Sequence, residues 1–305
     1  MEYGFVDCHC HISAREFEED LEDVIQRTRE AGVKTLVAVT EEAREFDRVL
    51  QLQERYPDLV APCFGIHPLQ GGEGPTQRSV KPQELDAALP QFFKHRERLV
   101  AIGEIGLDFT PWCAPTQQDR DGQMDVFIKQ LNIAKELDLP VNVHSRSAAK
   151  VVIATMREQG VSRALLHNFA GKPAVALEGV KAGFLFSFPP AVCRNQQRDK
   201  LIKQIPLEHI CLETDSPALG LDKHVRNEPC NIVLSCRYIA DVKDYENKKR
   251  RLQLHHKEAP TLTCVVYEDS SFCLETEEDT ALQEEDKNTG IVQNGAHNLT
   301  ETLLT

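Results

Sequence analysis

The sequence predicts an α/β chain closed into a (β/α)8 TIM-type barrel, on three observations. Short apolar runs of strand length alternate with amphipathic stretches at helical spacing from about residue 5 to residue 242. The alternation can be followed through eight strand runs, which favours a closed barrel over an open sheet. Side chains with N or O donor atoms stand at the ends of several of those runs, on the rim where a parallel barrel assembles its site.

The first run is Phe5-Val6-Asp7-Cys8-His9-Cys10-His11-Ile12. Alternate residues of a strand share a face, so His9 and His11 point together while Cys8 and Cys10 face away as small core residues. Two adjacent imidazoles at a strand end suit a divalent metal. Taken alone the pair is also compatible with chance, or with a Cys/His zinc knuckle. Residues 18–31 follow as a helix, with Leu21, Val24, Ile25 and Thr28 on one face and Gly32 where a C-terminal cap belongs.

The second strand is Thr35-Leu36-Val37-Ala38-Val39, and 41–55 reads as a helix stopped by Pro57. The third strand, 59–66, ends in Gly65-Ile66-His67-Pro68; a Gly-rich loop over 70–82 leads into a helix over 83–98. The fourth, 99–104, ends in Glu104 and continues as Ile105-Gly106-Leu107-Asp108, before a long helix over 117–137. Strand five, 140–144, ends in His144 and precedes a helix over 147–159. Strands six (163–167), seven (183–187) and eight (209–215) bring His167, Ser187 and Asp215 to their ends.

Composition narrows the function classes. A chain of 305 residues can bury a large core. Its formal charge of −13 argues against holding nucleic acid by broad basic patches, although metal ions at a site can meet phosphate directly. The ten cysteines are scattered, with no Cys-x-x-Cys pair, as in a reducing compartment. Neither a signal peptide nor a membrane-spanning run is read, so an intracellular protein in cytoplasm, nucleus or both is expected, with no membrane association and no obligate protein partner.

The strand ends are therefore compared as a set. His9, His11, Glu104, His144, His167 and Asp215 are all N or O ligands suited to a divalent cation, and all fall where the strands open onto one mouth. Their convergence favours a metal site over six unrelated polar residues. One ion would be held by His9, His11, Glu104 and Asp215 and would supply hydroxide near neutral pH; a second, on Glu104, His144 and His167, would polarise a phosphoryl oxygen, with Glu104 bridging the two. Asp215 is read either as a ligand alone or as ligand and general base. His67 could contact a substrate phosphate or cap its own loop, and Arg146 is a phosphate clamp or a structural ion-pair partner. Asp7 would orient a ligand or end its strand, Asp108 would support the loop after Glu104, and Glu213 would lie deeper in the barrel. Phe109, Trp112 and Phe169 either line a cleft that stacks on a base or simply pack.

The segments VDCHCHI, FGIHP, AIGEIGLDF, LPVNVHSR, LLHNF and LETDSP resemble the TatD-type metal-dependent deoxyribonucleases, a branch of the amidohydrolase superfamily, over roughly residues 3–240. The resemblance implies a metallo-dependent hydrolase barrel that binds two or three divalent ions (Zn, Mg or Mn). Matched residue by residue, the ligands it implies are His9, His11, Glu104, His144, His167 and Asp215. It implies DNA as substrate, cleaved as an exonuclease or at abasic sites. Alternatives are a small-molecule amide- or ester-hydrolysing enzyme and a catalytically silent form.

After about Val242 the chain departs from the family pattern. Lys248-Lys249-Arg250-Arg251 is followed by acidic runs such as Glu275-Thr276-Glu277-Glu278-Asp279. A barrel over 1–242 and an acidic, disordered tail over 243–305 are expected, leaving the packing of the last helix open.

Overall fold

The computed structural model describes residues 4–251 apart from 73 and 195, together with the backbone of 262–266 and 272–276. Eight parallel strands form one sheet in strict chain order: β1 (Phe5–Cys10), β2 (Val33–Val39), β3 (Val60–Phe64), β4 (Ala101–Gly106), β5 (Val141–His144), β6 (Ala164–Leu166), β7 (Leu185–Phe188) and β8 (Ile210–Leu212). Sequential order with every neighbour parallel requires a crossover after each strand, and helices α1 (Leu21–Glu30), α2 (Phe46–Arg55), α3 (Pro82–Lys94), α4 (Gln117–Glu136), α5 (Ala149–Glu158), α6 (Pro173–Lys181) and α7 (Asp199–Gln204) supply them. Just beyond β8 the chain meets β1: the Asp215 amide donates to the His9 carbonyl at 2.9 Å, and the His11 amide to the Ser216 carbonyl at 2.8 Å. The barrel thus closes at the rim that carries the candidate ligands.

The strands are buried on both faces, as a helix-covered parallel sheet demands. Cys8 and Cys10 are core residues. Helix α1 buries Leu21, Val24, Ile25 and Thr28 and stops at Gly32, whose φ of +82° serves as the cap. The stretch 41–55 starts later than its pattern predicts, because 43–45 forms a 3-10 turn before α2. β4 extends to Gly106 instead of ending at Glu104, since Ile105 and Gly106 pair with Val143 and His144. β8 ends three residues before Asp215, whose φ of +53° takes it out of strand geometry; Asp tolerates that region better than most side chains do.

The final helix, α8 (Ile232–Arg251), packs on the barrel through Ile232, Cys236, Ile239 and Val242, spaced one face apart. Within the stretch expected as a tail, α8 continues to Arg251, and β9 (Leu262–Val266) pairs antiparallel with β10 (Phe272–Thr276). The rest of the expected disordered tail lies outside the described residues.

Helix α4 holds two mouth loops by side chain. Gln123 accepts from the Asp108 amide (2.8 Å) and donates to the Asp108 carbonyl (2.9 Å). One face on, Gln130 does the same for Ile66, at 2.8 and 2.9 Å. Both glutamines are fully buried, so each satisfies backbone groups that would otherwise be stranded from water.

Candidate metal centre

Glu104 organises the mouth. Its Oε2 lies 3.4 Å from His9 Nε2 and 3.5 Å from His11 Nε2; Asp215 Oδ1 completes that group at 3.5 and 3.3 Å from the same two nitrogens. Its Oε1 faces a different group: His144 Nδ1 at 2.7 Å, His167 Nε2 at 2.7 Å and His67 Nε2 at 3.3 Å. The six residues expected as ligands thus converge, and the two oxygens of one carboxylate look onto separate donor sets. Gly65 makes room for this: a Cβ there would sit 2.4 Å from the Gly103 carbonyl carbon and 2.6 Å from the Glu104 nitrogen. Gly106, at φ +143°, lets β4 pass the His144 carbonyl, which a Cβ would meet at 2.0 Å.

The donor spacing fits cations. Atoms bound to one ion at about 2.1 Å lie roughly 3 to 3.5 Å from one another, which is the spacing of the first group and close to that of the second. Among the described residues three sets of donors fall within 4.8 Å of one another: His9, His167 and Asp215; His9, His11 and Glu104; and His67, Glu104 and His144.

Around the donors, further side chains fix the imidazoles. His9 Nδ1 lies 2.8 Å from Asn142 Oδ1, and the same amide donates from Nδ2 to the Cys8 carbonyl at 2.8 Å, so Oδ1 must be the atom facing the ring. His9 Nδ1 therefore carries a proton, leaving Nε2 as the atom that would face a cation. His144 Nε2 lies 3.1 Å from Asp108 Oδ2, leaving Nδ1 for the centre, and Arg146 Nε donates to the same oxygen at 2.7 Å. Asp108 supports the His144 ring as well as the loop, for its other oxygen accepts from the Thr110 amide at 2.9 Å. Asn142 was missed from the sequence, although its place two residues before His144 puts it on the same strand face, toward the mouth.

Other expected residues sit as follows. His67 is buried, with Nδ1 at 3.1 Å from both backbone groups of Leu69 and Nε2 on Glu104, so it caps its loop and joins the second donor set rather than standing out in the mouth. Arg146 is half exposed at the rim. Asp7 accepts from the His9 amide at 3.3 Å, and from the Thr214 amide at 2.9 Å and its hydroxyl, tying β1 to the turn that carries Asp215. Glu213 is buried, accepting from the Asn168 amide (2.8 Å) and Ser187 hydroxyl (2.6 Å), with its Oε2 3.9 Å from His167 Nδ1. Phe169 is wholly buried against Phe186 and cannot stack on a base, whereas Trp112 is 78% exposed.

Charge follows from this packing. Burial lowers the pKa of His9, His11, His144 and His167, but Glu104 outweighs it at His9, raising that group to about 8. At His11 burial is outweighed by Asp215, Glu41 and Glu104, to about 10, and at His144 by Asp108 and Glu104, to about 9. His167 goes the other way, to about 4, because burial and the charge of His9 act together on rings stacked 3.8 Å apart. Burial would raise Glu104 and Asp215, yet the surrounding histidines hold both below the usual carboxylate range. Metal-free, the centre is a set of anionic carboxylates neutralised by protons that a cation would displace.

Comparison with known proteins agrees with this architecture. The sequence profile of the family described as "TatD related DNase" matches residues 6–256. The chain belongs to the TatD-related DNase family. Among its relatives is tatdn3 of Danio rerio, 68% identical over 243 residues, covering 80% of this chain and 91% of the relative. "Deoxyribonuclease TATDN3" of Homo sapiens is 54% identical, covering 79% of this chain and 88% of the human protein. The crystal structure of YJJV, a TatD homolog from Escherichia coli, superposes with a TM-score of 0.68 at 27% identity, covering 79% of this chain and 91% of the other. The TatD-family match extends past residue 242, through the end of α8. Among the described residues no helix is long and apolar enough to cross a membrane.

Proposed function

We propose that this TatD-family chain is a metal-dependent deoxyribonuclease that hydrolyses DNA phosphodiesters, as an exonuclease or at abasic sites. The observation that carries the reading is the division of Glu104, with Oε2 on the His9, His11 and Asp215 donors and Oε1 on the His144, His167 and His67 donors. The first set would hold one divalent ion and the second another, with zinc, magnesium and manganese all acceptable to mixed N/O donors. Ions so held acidify water near neutrality and draw charge off a phosphoryl oxygen.

The chain's own groups do the rest. Asp215 presents Oδ1 to His9 and His11 while Oδ2 lies 4.0 Å from His167 Nδ1, so Oδ2 is the atom to accept a proton from the attacking water. Glu104, kept anionic by the histidines around it, fixes the separation of the two donor sets. Arg146 has Nε on Asp108, which leaves the outer face of its guanidinium to meet substrate phosphate at the rim. His67 orients Glu104 and the β3 loop instead of standing in the mouth.

The names of the relatives support DNA as substrate, and the fold alone serves other hydrolyses. The deciding experiment incubates the purified chain with Mn, Mg or Zn on 3′-ended and abasic DNA beside a panel of amides and esters. DNA cleavage abolished by chelation is expected; turnover of amides with intact DNA would refute the reading.

A further inference from the structure

We infer that Arg198 is a substrate residue of this centre, its guanidinium binding a non-bridging oxygen of the scissile phosphate from the β7 side of the mouth. This rests on the phosphodiester reading above. Arg198 precedes α7 in the connection from β7, and it is half-buried. One hydrogen bond anchors it: Nη1 donates to Asn168 Oδ1 at 2.7 Å. Asn168 is the residue after His167, held at φ +42°, and its amide donates to Glu213 Oε1 at 2.8 Å. The anchor therefore places the guanidinium beside a donor of the centre.

Asn168 is neutral, and among the described residues no ion pair forms with Arg198. Three other arginines of the mouth and its supporting loops pair with carboxylates, Arg146 with Asp108, Arg226 with Asp20 and Glu228, and Arg27 with Glu228, while Arg194, in the same connection as Arg198, donates to the Gly220 and Leu221 carbonyls. Burial of Arg198 lowers its pKa, opposed by the charges of Glu213 and Asp215, yet a guanidinium stays protonated in proteins. When divalent ions occupy the mouth, Glu104 and Asp215 offset only part of their charge, and a further cation beside them is stabilised by an anion. Arg198 has donor hydrogens left for that anion, in the planar fork that fits phosphate. Together with Arg146 after β5, it would grip the phosphate from two sides of β6.

The test uses the full chain loaded with Mn, in wild type, Arg198→Lys, Arg198→Gln and Arg198→Ala. Inorganic phosphate is titrated by calorimetry and as a competitive inhibitor of cleavage of a 3′-ended oligonucleotide; metal content and melting temperature are measured alongside. Loss of a charge-assisted hydrogen bond weakens phosphate binding by about ten-fold or more. The expected result is that loss in Arg198→Gln and Arg198→Ala, a raised KM for DNA, an intermediate Arg198→Lys, and unchanged metal content. Phosphate affinity equal to wild type in the glutamine variant, or a loss that merely follows loss of metal, would overturn the inference. If the alanine variant does not fold, the lysine and glutamine variants give the same reading. A wild-type chain that binds phosphate through Arg198 but leaves DNA intact would fail the phosphodiester reading and keep the arginine's role; one that cuts DNA with phosphate binding indifferent to Arg198 would do the reverse.

Discussion

Asn142 Oδ1 and His9 Nδ1 lie 2.8 Å apart in the floor of the mouth, and the other end of the Asn142 amide is fixed on the Cys8 carbonyl. One buried amide therefore sets both the rotamer of His9 and the ring nitrogen that faces the centre. Removing such a partner lowers metal affinity by about 10–100-fold in comparable sites. Asn142→Ala is expected to show a loss of that size in competition with a fluorescent chelator, with its far-UV circular dichroism unchanged. Wild-type affinity would mean that the amide does not orient the ring.

Asp108 plays the matching part for His144, and it also holds Arg146. Asp108→Asn removes the charge and keeps the shape. The expected outcome is a drop of about 10–100-fold in affinity for one ion per chain, with the other retained, because the first donor set has no contact with Asp108. Equal weakening of both ions would show that the two sets are not separable.

Metal binding should release protons. In the metal-free chain His9, His11 and His144 have pKa values raised to about 8, 10 and 9, above their ordinary 6.5, so all three are protonated at pH 7. Each must lose a proton to bind through nitrogen, and apparent affinity therefore rises with pH through this range. Calorimetry in buffers of different ionisation enthalpy is expected to show release of more than one proton per chain at pH 7. The sign for stability is opposite: the imidazolium–carboxylate contribution in the metal-free chain is full below pH 6.5 and is lost as pH rises toward 10. Heats of binding independent of the buffer would contradict this charge state.

Gln123 satisfies both backbone groups of Asp108 from inside α4. Gln123→Leu keeps the volume and strands two buried polar groups, so a destabilisation of about 2 kcal/mol or more is expected in urea unfolding. A variant as stable as wild type would mean that the loop finds other partners.

Much of this was legible in the chain because parallel-barrel strands announce themselves as apolar runs, and their last residues must face one rim. His9, His11, Glu104, His144, His167 and Asp215 were singled out that way, and their side chains converge. The rest depended on distance in three dimensions. Asn142 looked like an ordinary strand residue, since its partner His9 is 133 positions away. Arg198 carried no motif, and its place beside the centre comes from a hydrogen bond to Asn168, 30 positions away. His67 ends its strand as the pattern suggests, but which way its ring faces is decided by the backbone of Leu69. Phe169, one of three aromatics near the loops, turned inward onto Phe186, a choice made by packing between strands β6 and β7 and not by local sequence.

The account turns on Glu104 serving two donor sets at once, and metal analysis of Glu104→Ala beside wild type tests it most directly. The variant is predicted to retain at least one ion fewer per chain, with nuclease activity reduced by about 100-fold or more, the scale of losing one electrostatic stabiliser of the transition state. Equal metal content and equal cleavage in the two proteins would contradict it.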